Sequence, residues 1–374
     1  SAYVCSPFEK CRLEDNWTKA NFAQFLLLTM PNSYMPWLQL DEERLWVGFG
    51  KSIKSYKKSD IVSLLVIGKR YKLQQHEHVF GDPTAKGDIS RFYKSKNLIM
   101  YNQVNKLCCY DTYSNKYIFQ RDLSEIPNSG DTEVETNMQD WKTNDALDLH
   151  TDNNIAVFQT NGSVFLAPLR DLEKIDLSTI KMWNRNCWRL KLSDSGQRLV
   201  GASRDGNSYI YDVERMTELA VLKGANKTST VTDICWLNPH LFLTGGYDTI
   251  LRLWDTRYLS QNATKAAIEL EDPFNTGIYS IASDKYNSVL TGMQMDGRIN
   301  AIDIRNAKYV QLYYMSTKVP SPVYSLDFDS RRLVSVTAST LHVLDFSIYG
   351  PRVLLVNYWG HIVGYRNDHR TWLA

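Results

Sequence analysis

Three aspartate pairs recur along the chain at one interval: Asp205 with Asp212, Asp248 with Asp255, and Asp296 with Asp303. Paired carboxylates suit acid–base catalysis or a divalent cation when they face each other. Here each pair brackets a short apolar run, so its two carboxylates stand at opposite ends of one strand. Recurrence once per unit is how structural turn residues behave. The first Asp accepts backbone N–H groups of a tight turn, and Gly206 or Gly297 follows where positive φ is needed. Two histidine settings invite other chemistry. His76, Glu77 and His78 could offer two imidazoles to a metal from one face of a strand, but no third ligand is in view, and the neighbouring Gln74 and Gln75 suit a solvated loop. His150, near Asp148 and Asp152, reads as a strand-end histidine rather than a base. The chain has no GxSxG elbow, Gly-rich phosphate loop or HExxH pair. No catalytic residue, cofactor or metal site is therefore expected.

The elements that hold these residues repeat. GASRDGNSYIYD (Gly201 to Asp212), TGGYDTILRLWD (Thr244 to Asp255) and TGMQMDGRINAIDIR (Thr291 to Arg305) are copies of one turn and strand, and each follows another apolar strand, such as Cys187 to Leu192, Val231 to Trp236 or Ile278 to Ser283. Poorer copies lie at Leu38 to Tyr56 and Ile89 to Asp111. Seven units begin near residues 36, 88, 145, 187, 231, 278 and 322, a spacing close to the ~40 to 45 residues of a four-stranded propeller blade. No helix-period pattern of useful length appears. The expected fold is all-β, a seven-bladed β-propeller of four-stranded antiparallel blades across residues 31–358. An open array of blades would expose unpaired strand edges, so residues 22–30 are a candidate ring-closing strand, with Val353 to Asn357 competing for the place. Residues 1–21 read as a linker and 359–374 as a tail.

Composition narrows the function. The 374 residues carry 43 Lys plus Arg against 41 Asp plus Glu, and 43% are apolar, which excludes wholesale disorder and gives no electrostatic reason for a nucleic-acid or membrane partner. The basic stretch from Lys51 to Lys72 reads as a solvated outer face. The six cysteines are scattered and read as reduced thiols. No secretory signal is visible, and no apolar stretch approaches the ~20 residues of a membrane span; a cytoplasmic and/or nuclear protein is expected. A propeller gathers one loop from every blade around a central channel, forming a rigid docking surface. At the channel end of the inner strands the repeat alignment sets Leu147, Trp188, Thr232, Tyr279 and Tyr324. Aromatics in such a row suit target binding; plugging the channel is the competing account.

Leu253 to Arg257 (LWDTR), with GASRDG and GGYDTI ahead of strands that end in Asp, resembles a WD-repeat β-propeller. CRLEDNW (Cys11 to Trp17), MPWLQLDEERLWV (Met35 to Val47) and LHVLDF (Leu341 to Phe346) are similar, more narrowly, to F-box/WD-repeat proteins. That resemblance implies a substrate receptor for a cullin-based ubiquitin ligase, whose adaptor and cullin would be reached through an F-box not present in this chain; the stretch ahead of Trp17 is too short to hold one. The alternative is a ligase-independent scaffold. The resemblance also implies a buried network in the fifth unit, matched by Thr244, Asp248 and Trp254 without its histidine, with Ile210 and Ile302 standing in the place of Trp254. In phosphate-recognising relatives an Arg just before the turn Asp binds phosphate, a position matched by Arg204 between Ser203 and Asp205, with Arg189 and Arg185 adding charge. The equivalent positions elsewhere are Thr160, Tyr247 and Met295, so the row alone does not make an arginine cluster. An ion pair to a neighbouring blade is the competing account for Arg204.

Overall fold

The computed structural model describes residues 7–29, 35–59, 61, 78–89, 91–104, 106–123, 147–160, 163–169, 181–183, 187–203, 206–215, 217–223, 229–258, 265–315, 320–347, 355–356 and 362–364. Seven four-stranded antiparallel sheets form from them. Their inner strands are Trp37–Leu40, Phe92–Ser95, Leu147–His150, Cys187–Leu192, Val231–Trp236, Ile278–Ser283 and Ser325–Phe328. Each inner strand touches the inner strand of the next sheet, and the seventh returns to the first. The fold is a closed seven-bladed β-propeller.

Strands sandwiched between neighbouring blades are buried on both faces, so the middle strands read as continuous apolar runs rather than alternating ones. The apolar side chains collect into seven clusters, one between each successive pair of blades. Phe242 and Trp254 of the fifth blade, for example, pack with Val200, Ile210 and Ala220 of the fourth. Close approach also dictates residue type. A Cβ on Gly245 would lie 2.8 Å from Ile278 Cγ2 of the next blade, so only glycine fits there.

The inner strands would otherwise leave backbone groups unpaired at the channel wall, and side chains from the preceding blade meet that need. Gln39 of the first blade accepts from Lys94 N at 2.9 Å and donates to Lys94 O at 2.8 Å. Asp148 of the third accepts from Leu192 N at 2.7 Å, Asp233 of the fifth from Ile281 N at 2.8 Å, and Asp327 of the seventh from Leu40 N at 2.9 Å. Burial raises the carboxyl pKa of Asp327 to about 6, its accepted N–H bonds offsetting only part of the effect.

Ala23–Thr29 pairs antiparallel with Thr340–Asp345 and forms the outer strand of the seventh blade. Chain ends and ring closure thus coincide, with the last three strands of one sheet supplied from the far end of the sequence. Leu355–Val356 pairs instead with Ile362–Gly364 in a separate two-stranded sheet. Just ahead of the closing strand, Pro7–Thr18 is a helix, where no helical period was legible. It is held by a few anchors and not by a long apolar stripe. Leu13 is buried with Phe22 among side chains of the sixth and seventh blades. Trp17 stacks on Phe346 at 3.7 Å and donates from Nε1 to Ser330 O at 2.9 Å; Asn16 Nδ2 donates to Phe346 O at 2.7 Å. Among the described residues no helix is long and apolar enough to cross a membrane.

Candidate functional site

The strand-end aspartates are turn builders. Asp255 accepts from Arg257 N at 3.0 Å and holds its guanidinium at 2.6 Å; Asp303 treats Arg305 in the same way, at 3.0 and 2.8 Å. Asp212 accepts from Arg215 N at 2.8 Å. Of the turn aspartates, Asp296 sits at φ 70° in the left-handed region. Trp254 Nε1 donates to buried Thr244 Oγ1 at 2.9 Å, while Asp248 pairs with buried Arg252 at 2.5 Å. Register places Tyr211, one residue before Asp212, at the position of Trp254. Ile210, assigned there from sequence, is one residue off and faces the fifth blade instead.

At the channel, the residue preceding regular pairing is Arg91, Trp188, Thr232, Tyr279 or Tyr324 in the second, fourth, fifth, sixth and seventh blades. In three of these the register slips there, between Cys187 and Arg189, Val231 and Asp233, and Ile278 and Ser280. An extra residue in one strand bends it and re-aims its side chain: Trp188 and Tyr279 are left half-buried, while Thr232 is buried, its Oγ1 donating to Gly245 O at 3.1 Å and to Ile278 O of the next blade. Leu147 belongs one step deeper by the same register and is buried at 1% exposure in the core between the second and third blades; the sequence alignment misplaced it.

Tyr247 joins this row from the turn between the second and third strands of the fifth blade, held by its N–H to Thr230 O at 3.3 Å. Its ring meets Tyr279 edge-on, centroids 5.6 Å apart at 77°, and its hydroxyl donates to that of Tyr279 at 3.0 Å. Tyr279 meets Tyr324 in the same manner, 5.4 Å apart at 85°. Such edge-to-face pairs each add about 0.5–1.5 kcal/mol beyond burial, fixing three phenols before any partner arrives. Tyr247 remains 39% exposed, and burial holds the Tyr324 phenol above its ordinary pKa. The adjoining loop is equally fixed. Asp272 accepts from Arg298 Nη1 at 3.0 Å and Nη2 at 2.8 Å, from Asn300 at 3.0 Å and from Thr276 N at 3.0 Å. That knot presents Phe274, 55% exposed, under whose ring the Arg298 guanidinium lies 4.3 Å from the centroid. The loop abuts the tyrosines at Gly277, where a Cβ would stand 3.2 Å from Tyr247 Cα.

The arginines turn inward. Arg189 is 3% exposed, donates from Nε to Thr232 O at 2.5 Å and from Nη1 to Trp188 O at 2.9 Å, and lies 4.9 Å from the Trp188 ring centroid. Arg91, which the poorly patterned second unit concealed, reaches across the channel from the second blade to the fifth. Its guanidinium is 3.9 Å from the Trp37 ring centroid and 3.5 Å from an Asp233 carboxylate oxygen. Arg204 and Asp205 lie outside the described residues, as do His76 and Glu77. Among the described residues no group of three or more His, Cys, Asp and Glu side chains could hold a metal. What the arrangement offers is an interlocked set of aromatic rings beside two buried channel arginines.

A sequence model of the WD domain, G-beta repeat, matches residues 216–255, from the outer strand of the fourth blade through the third strand of the fifth. Mouse F-box/WD repeat-containing protein 4 is 33% identical over 117 residues, covering 31% of this chain and 28% of that protein; its human counterpart is 32% identical over the same length. The tobacco guanine nucleotide-binding protein subunit beta-1 is 29% identical over 126 residues, 32% of each chain. The match spans less than a third of each relative's length. With the seven sheets, these findings make the chain a WD-repeat β-propeller similar to F-box/WD repeat-containing protein 4.

Proposed function

We propose that this chain is the target-recognition propeller of a cullin-based F-box ubiquitin ligase receptor, with no catalysis of its own. The observation that carries the docking half of this reading is the interlocked Tyr247, Tyr279 and Tyr324 cluster at the channel mouth. Rigid aromatics at the centre of a platform supply contact area at small entropic cost. The ligase half draws on the partial similarity to the F-box/WD repeat protein. In it, an F-box in the full-length protein would dock the adaptor, and ubiquitin transfer to a captured target, in the cytoplasm or nucleus, would follow from proximity. The geometry suits such a division. The helix Pro7–Thr18 packs by Ser330 and Phe346, at the end of the seventh blade opposite Tyr324.

Affinity capture of the full-length protein from cells, wild type beside Tyr279→Ala, tests both halves. Adaptor and cullin are expected with both forms, and ubiquitinated targets with wild type alone. Targets retained by a folded Tyr279→Ala protein would remove the docking assignment. Targets captured with no adaptor or cullin would support the second reading, a ligase-independent scaffold, which the similarity to a G-protein β subunit favours.

A further inference from the structure

Arg91 is a buried cation with too few acceptors, and we infer that it marks an anion site in the channel, fitted to one singly charged carboxylate rather than to phosphate. Its side chain is 3% exposed, and a guanidinium keeps its charge when buried. Nη2 reaches Thr232 O at 3.5 Å, the outer limit of a hydrogen bond, while Nε and Nη1 have no hydrogen-bond partner. Thr232 O already accepts the closer Nε of Arg189 at 2.5 Å, so two guanidiniums meet at one carbonyl. Asp233 Oδ1 stands 3.5 Å from Nη1, and its Oδ2 accepts from Ile281 N of the sixth blade at 2.8 Å. That second bond holds the carboxylate back from Arg91. The Trp37 ring, 3.9 Å away, offers the cation a π face, but neither orphan nitrogen gains an oxygen acceptor from it.

Unmet donors on a buried charge are costly, and an anionic acceptor repays more of that cost than a neutral one, because charge-assisted bonds are roughly twice as strong. Arg91 stands where regular pairing of its inner strand begins, in the same row as Tyr279 and Tyr324, so an anion reaches it from the face that carries the tyrosines. On turning to meet that anion, the guanidinium gives up only a long bond and a long ion pair. Asp233 sets the charge of the ligand. Its carboxylate beside the site repels a second negative charge, which favours a carboxylate over a phosphate dianion. The carboxylate is either free or carried on an acidic side chain of a docked segment; the second source rests on the reading of the tyrosine face as the docking site.

Thermal melts of the intact chain test the site, in a bulky sulfonate buffer near pH 7.5 at fixed ionic strength. Acetate, acetamide and phosphate are added in turn to wild type and to Arg91→Met, with Arg91→Lys in its place should the Met variant fail to fold. Acetate should raise wild-type melting saturably, by about 3 °C at ten times its dissociation constant, and leave the variant unmoved. Acetamide should do nothing, and phosphate less than acetate. A second arm selects dodecamers from a random displayed library and titrates synthetic copies, with each Asp or Glu also made as Asn or Gln. Acidic peptides that lose about 10-fold on amide replacement against wild type, and nothing against Arg91→Met, identify a docked segment as the source. An acetate shift without such peptides identifies a free carboxylate. An acetate shift that persists in Arg91→Met, one matched by acetamide, or one exceeded by phosphate overturns the inference. So does the absence of both an acetate shift and Arg91-dependent peptides. Peptides lost in a folded Tyr279→Ala protein but indifferent to Arg91→Met overturn it while leaving the docking face intact; Arg91-dependent peptides indifferent to Tyr279→Ala uphold it and remove the tyrosines from docking.

Discussion

Replacing Asp327 by Asn should stabilise the protein at neutral pH and do much less under mild acid. Asp327 joins the seventh blade to the first through its bond from Leu40 N at 2.9 Å. Burial raises its pKa from 3.8 to about 6. A carboxyl with a raised folded-state pKa opposes folding wherever it must ionise. That opposition is absent below the unfolded value of 3.8, grows between there and about 6, and is complete above. A shift of about two units at 1.36 kcal/mol each sets the full effect near 3 kcal/mol. At about pH 4.5 only about 1 kcal/mol of it has developed. Whatever the amide changes in packing or bond strength is common to both conditions and cancels in their difference. The stability change on Asp327→Asn should therefore be about 2 kcal/mol more favourable at pH 7.5 than at pH 4.5. Urea unfolding of both proteins at the two pH values measures it. A substitution effect that is the same at both would refute the claim that this carboxylate is ionised at a cost to ring closure.

Trp17→Ala should cost about 3 kcal/mol, because it removes the stack on Phe346 and the bond to Ser330 O. Faster hydrogen exchange in Ala23–Thr29 should accompany the loss, and an unchanged melt with unchanged exchange would contradict an anchoring role. Burial pushes the thiol of Cys108 up to about 11 and those of Cys109 and Cys235 up to about 12. Iodoacetamide near pH 8 should therefore label these three only after unfolding, and peptide mapping that finds them modified in the native protein would disprove it.

Much of the ring was legible because each unit carries its own signals. The turn Asp residues, the strand-end Asp residues and the apolar runs between them are local, so blade boundaries could be set within a residue or two in the fourth, fifth and sixth units. Register could not. Side chains in a strand alternate faces, so an error of one residue exchanges core for surface, which is how Ile210 was set where Tyr211 belongs and Leu147 at the mouth it does not reach. The bulges that turn Trp188 and Tyr279 outward leave no mark in composition. The helix Pro7–Thr18 was equally hidden, since three anchors and not a sustained apolar face hold it.

What the residues determined alone is therefore the architecture: seven similar units, each able to form a sheet but unable to cover both of its faces, have to stack in a circle. What only the folded molecule decided is where charge and aromatic surface finish. Arg189 and Arg91 are polar residues in sequence, yet they lie in the channel because a carbonyl, a carboxylate and the Trp37 indole from other blades converge on them, with the Trp188 indole of Arg189's own strand beside it. Tyr247, Tyr279 and Tyr324 come from three successive blades, and it is the side-by-side packing of those blades that brings their rings within contact of one another. Such encounters depend on distances between segments far apart in the chain, and no local pattern of residues encodes those distances.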